Sequence, residues 1–194
     1  GQFGKEAMGQ TGIPLYASDS VLRFLEERHL SMPFQANVVL PGSTFSPTEG
    51  CGFELEFVRV PHRDEYSDTH AIRVIGPRHT LLFLPDHDDW GQTLDLVGES
   101  SIRDWLRSMG VDFAMIDGTF WSDDELGGRD MTLVPHPTIS ETIGLLGEKR
   151  EGDPEVIFIH LNHTNPALDG GSSQARELSK LGWSIGEQGS TILL

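Results

Sequence analysis

The chain is 194 residues long, with one cysteine, two tyrosines, and 14 lysines and arginines against 30 aspartates and glutamates. Each shortage excludes something. Cys51 alone closes no internal disulfide, so the core must hold the fold, and a reducing, cytoplasmic setting is expected. The lack of positive charge leaves a formal net charge of −16. A surface of that sign repels phosphate backbones and argues against nonspecific nucleic-acid binding. No apolar run approaches the roughly 18 residues of a membrane span. No charged-then-apolar leader opens the chain, so no signal peptide is expected. Internal repeats and long linkers are also missing, as are short metal motifs of the HExxH or CxxC kind. With 37% hydrophobic and 23% charged residues, 1–194 reads as a single domain with a real core.

What is present is a series of short strands with helices between them. "GIPLYAS" reads as a strand, and "DSVLRFLEERH" as a helix capped by Ser18 or Asp19. "ANVVLPG" is a strand. "GFELEFVRVPH" sets Phe53, Leu55 and Phe57 against Glu54 and Glu56, the alternation of a half-solvated strand. "HAIRVIGPRHTLLFLPD" predicts a hairpin around "GPRH". "IRDWLRSMG", "SETIGLLGEKR" and "SSQARELSKLG" predict helices, "VDFAMIDGTF" and "EVIFIHLNH" strands. The order predicts an α/β fold with a mixed sheet. The opening "GQFGKEAMG" starts inside what reads as a helix, Phe3 to Met8, with no cap before it, which predicts a fragment of a longer reading frame.

Three apolar strands end abruptly in ligand-type side chains: His62, Asp86 and His160. Strand ends hold side chains rigidly while facing an open crevice. Imidazole and carboxylate suit zinc, manganese or iron. His136, in "VPHPTIS", lies between a strand and a helix. Blander readings stand beside these. A lone histidine at a strand end is usually a satisfied polar residue. "LPD" is a common turn, "DHDDW" reads as a solvated acidic loop, and "HLNHTNP" as a turn whose amides satisfy the backbone.

Taken together, "DGTFWSDDEL", "VPHPTIS", "IHLNHTNPALD" and "HRDEYSDTHAIRVIGPRHTLLFLPDHDDW" resemble the pyrroloquinoline-quinone biosynthesis protein B family of the metallo-β-lactamase superfamily. "FGKEAMGQTGIPLYAS" resembles the segment that follows that superfamily's leading metal motif. The resemblance implies an αββα sandwich, incomplete at its N-terminus because the leading histidine-rich loop is absent from this sequence. It implies a divalent zinc, manganese or iron ion with His62 and His160 each holding metal, Asp86 bridging, and His136 over the substrate as proton donor or anion contact. Asp117, Asn162, His163 and Asn165 would be supporting residues that shape the site and fix ring orientation. The implied activity is metal-dependent hydrolysis or oxidative chemistry on a small-molecule or peptide-derived substrate. The rivals are a non-catalytic fold member that binds a ligand or partner, and a small-molecule phosphodiesterase. With part of the ligand set absent, weak metal retention is expected. Uncovered apolar sheet surface predicts self-association into a homo-oligomer.

Overall fold

The computed structural model describes residues 12–28, 34–127 and 134–194. The expected helix over Phe3 to Met8 lies outside the described residues. β1 (Ile13–Ala17) and β2 (Phe34–Val38) pair in parallel, joined through α1 (Asp19–Glu27). The Ser18 hydroxyl caps α1 by accepting from the Val21 amide, and Leu22 and Leu25 supply its buried face. This small unit is fastened to the rest of the molecule. Ser18 Oγ donates to Asp68 Oδ1 at 2.5 Å, Tyr16 donates to the Pro47 carbonyl at 2.6 Å, and the Tyr16 ring stacks on Phe45.

The main sheet has seven strands. In order they are β3 (Thr44–Phe45), β4 (Glu54–Val60), β5 (Thr69–Ile75), β6 (Thr80–Leu84), β7 (Phe113–Asp117), β8 (Glu155–Ile159) and β9 (Ser184–Ile185). β3 to β6 are antiparallel, and β6 to β9 parallel. The antiparallel part is joined by hairpins. The parallel part needs crossovers, made by α2 (Trp90–Val97) and α3 (Ile102–Ser108), then α4 (Ile139–Leu146), then α5 (Ser173–Leu181). Period-two alternation sends Leu82, Leu84, Ala114, Ile116, Val156 and Phe158 into one core with Trp90, Trp105, Ile139 and Leu178 of the helices. On the opposite face Leu81, Met115 and Ile157 are half-buried and line a cavity of about 370 Å³ with Ile192 and Leu194.

The "DHDDW" segment is not a solvated loop. Asp89 caps α2 by accepting from the Gln92 amide, while Trp90 and His87 are buried. The Trp90 indole N–H donates to Thr142 Oγ1 at 2.8 Å. The acidic letters conceal a helix start, because aspartate is both a loop residue and a preferred N-cap.

One topological fact positions the site. β4 is antiparallel to β5 and β5 to β6, so β4 runs the same way as β6, β7 and β8. The residues at or just past their C-terminal ends, His62, Asp86, Asp117–Thr119 and His160, therefore emerge along one edge of the sheet.

Candidate metal centre

At that edge the side chains converge. One ligand atom from each of Asp86, Asp117, His136 and His160 lies within 4.8 Å of all the others. His62 joins them from β4, its Nε2 3.2 Å from Asp86 Oδ2 and its Nδ1 3.0 Å from Asp88 Oδ1. Thr69 steadies the same residue by donating its hydroxyl to the His62 carbonyl at 2.8 Å. All four residues expected from strand and loop ends, His62, Asp86, His136 and His160, thus share one crevice.

Asp117 is wholly buried and both its oxygens are engaged. Oδ1 accepts from the Thr119 amide at 2.9 Å and the Thr119 hydroxyl at 2.7 Å. Oδ2 lies 2.8 Å from His136 Nδ1. His136 Nδ1 is also 3.3 Å from Asp86 Oδ1, so its ring bridges two carboxylates. Burial is the largest influence on His136 and disfavours the imidazolium. The Asp117 hydrogen bond and the Asp117 and Asp86 charges outweigh it against Arg63, and His136 titrates above the ordinary histidine value. Burial also dominates at Asp86 and raises its carboxyl. His62, His136 and His160 pull it down and Asp117 pushes it up, leaving it above the usual aspartate value.

Asp86 Oδ1 is shielded from solvent and, beyond its 3.3 Å ion-pair contact with His136 Nδ1, accepts no hydrogen bond among the described residues. A buried carboxylate oxygen without a donor is unfavourable unless something positive meets it. Imidazole and carboxylate donors this close together have the chemistry of a divalent-cation site, and the residues present fit such an ion.

His160 follows β8 with φ +63°, left-handed backbone that is uncommon outside glycine and enriched at functional positions. Its Nδ1 meets Thr119 Oγ1 at 3.0 Å. Asn162, His163 and Asn165, expected to orient this ring, make no hydrogen bond to it among the described residues. Asn165 is buried and staples the loop, donating to the Gly118 and Thr119 carbonyls and accepting from the Ala167 amide. Asn162 pairs with Thr164 and with the exposed His163 at the rim, and Thr164 donates to Glu125. Thr119 was not among the expected residues. An Asp followed two residues later by Thr is an Asx-type turn in which side chain and backbone bond locally. In "DGT" that was the available signal.

The chain matches the family model described as "Beta-lactamase superfamily domain" over residues 5–161. It is 26% identical over 201 residues to coenzyme PQQ synthesis protein B of Rhodopseudomonas palustris (strain TIE-1), covering 93% of this chain and 65% of that protein. It is 34% identical over 136 residues to the protein of the same name from Ruegeria pomeroyi, covering 65% of this chain and 41% of that one. The chain therefore spans less than two thirds of the length of these relatives. Among solved structures it resembles zinc-bound PqqB from Methylobacterium extorquens, with a TM-score of 0.66 at 17% identity over 94% of this chain and 65% of that one. No helix among the described residues is long and apolar enough to cross a membrane. Fold, strand-end histidines and relatives agree, and the chain belongs to the metallo-β-lactamase superfamily as a member similar to coenzyme PQQ synthesis protein B.

Proposed function

We propose that this chain carries the donor and proton-transfer side of a metal-dependent centre of the PqqB type, acting by hydrolysis on a small molecule. The observation that supports it is the clustering of Asp86, Asp117, His136 and His160 donor atoms within 4.8 Å of one another, with His62 against Asp86. Asp86 with His160, and Asp86 with His62, would be the residues that hold metal. When bound, a divalent ion there would lower the pKa of a coordinated water toward about 7 and polarise a substrate oxygen.

The chain's own residues do the rest. Asp117, with both oxygens engaged, orients rather than ligates. It holds His136 through Oδ2, and that ring keeps its proton to a higher pH than an ordinary histidine. Such a group is suited to donate a proton to a leaving oxygen or nitrogen. Asp88 beside His62 and Glu125 tied to Thr164 put further negative charge near the crevice. With a net charge of −16 this disfavours polyanionic substrates and supports a small neutral or amine-bearing one.

Equilibrium dialysis against zinc, manganese(II) and iron(II) tests the reading, with Asp86→Asn as the comparison. Binding of at least one of the three by wild type, weakened by about 100-fold or more in D86N, is expected. Equal uptake by both proteins sinks it.

A further inference from the structure

We propose that Thr119 is a positioning residue: its hydroxyl fixes His160 as the Nδ1–H tautomer and leaves the lone pair on Nε2 for the cation. The inference rests on the metal reading above for its purpose, and on a proton inventory for its content. Thr119 has one hydroxyl proton. Asp117 Oδ1, 2.7 Å away, is a carboxylate oxygen that accepts, so that proton is given to Asp117. The Thr119 oxygen can then only accept from His160 Nδ1, 3.0 Å distant. A neutral imidazole has a single N–H. With that proton on Nδ1, the nitrogen able to bind a cation is Nε2.

The backbone makes this contact rigid. Gly118 donates its N–H to the Ile159 carbonyl at 2.9 Å, and the Asn162 amide donates to the Thr119 carbonyl at 2.9 Å. A Cβ on Gly118 would stand 2.9 Å from Phe158 Cβ and 3.1 Å from the Ile159 oxygen, so only glycine lets the ends of β7 and β8 approach this closely. The left-handed φ of His160 then turns its ring back toward Thr119. Thr119 itself is buried at 8% exposure. One carboxylate thereby governs two histidines, His136 directly and His160 through a hydroxyl relay.

A valine at 119 keeps the shape and removes the hydroxyl, whereas serine keeps the hydroxyl. Long-range ¹⁵N–¹H correlation spectra of the metal-free protein at about pH 8, where free histidines are neutral, read the tautomer directly. Wild type and T119S are expected to show His160 as Nδ1–H, and T119V to shift toward Nε2–H. Zinc affinity should fall about tenfold in T119V and recover in T119S, the scale of losing a residue that orients a metal-binding histidine. Finding His160 as Nε2–H in wild type, or the same tautomer and zinc affinity in T119V as in wild type, overturns the proposal. If wild type binds none of zinc, manganese(II) and iron(II), the metal reading falls, and the tautomer comparison still decides the role of Thr119.

Discussion

His160 and His87 each present Nδ1 to a threonine hydroxyl at 3.0 Å, Thr119 in one case and Thr93 in the other. Both hydroxyls already donate elsewhere, Thr119 to Asp117 Oδ1 and Thr93 to the Asp89 carbonyl at 2.8 Å. By the same inventory both rings carry their proton on Nδ1. Their surroundings differ. His160 is exposed at a strand end, among carboxylates and other imidazoles. His87 is wholly buried, packed edge-on against Trp90 with centroids 4.4 Å apart, and its Nε2 has no hydrogen-bond partner among the described residues. The same local pairing sits at an exposed strand end in one case and inside the sealed core in the other. Burial, only partly offset by Asp117 and Asp89, pushes His87 down to about 4.

The comparison can be broken from the core side first. Trp90 is 1% exposed and packs on both His87 and Trp105. Trp90→Ala should cost roughly 3–5 kcal/mol in a denaturant titration. If His87 is as weakly held as a surface residue, the loss will be far smaller.

A pH series sharpens it. Above 6.5 both folded and unfolded chains keep His87 neutral. Below 6.5 the unfolded chain binds a proton that the folded chain refuses until about pH 4. Stability should therefore be full above 6.5 and fall through this window by on the order of 3 kcal/mol on account of His87. His87→Gln removes that titration. The measured slope between these pH values should flatten in the variant, and an unchanged slope contradicts the account.

Gly118→Ala probes the site side. Its clash with Phe158 and the Ile159 carbonyl should cost roughly 1–3 kcal/mol and loosen zinc binding as Thr119 and His160 are forced apart. Thr93→Val is the mild control. It leaves the His87 N–H unpaired, at a cost of about 1–2 kcal/mol, and should leave zinc affinity within about twofold of wild type, because no cation meets His87. A large affinity loss in T93V would erase the distinction between the two rings.

The convergence of His62, Asp86 and His160 was legible in the sequence because apolar strands announce their own ends, and strands running the same way bring like ends together; His136 followed from the family resemblance. Asp117 was legible through its place in "DGTF". The helix α2 was not, since "DHDDW" gives the composition of a loop and the burial of Trp90 depends on packing against α4. Thr119 was hidden for a similar reason. Its role needs a partner 41 residues away, and nothing local distinguishes a turn threonine from a relay. Asn162 and His163 drew attention by proximity in sequence to His160, yet the His160 ring meets Thr119 while Asn162 and His163 pair with each other.

The central claim is that Asp86, together with His160 or with His62, holds a divalent cation at the shared edge of β4, β6 and β8. Anomalous diffraction at the zinc edge from zinc-soaked crystals addresses it most directly. The account predicts a peak about 2–2.5 Å from an Asp86 oxygen and from a ring nitrogen of His160 or His62. A saturated crystal with its peak elsewhere, or with none at this edge, would contradict it.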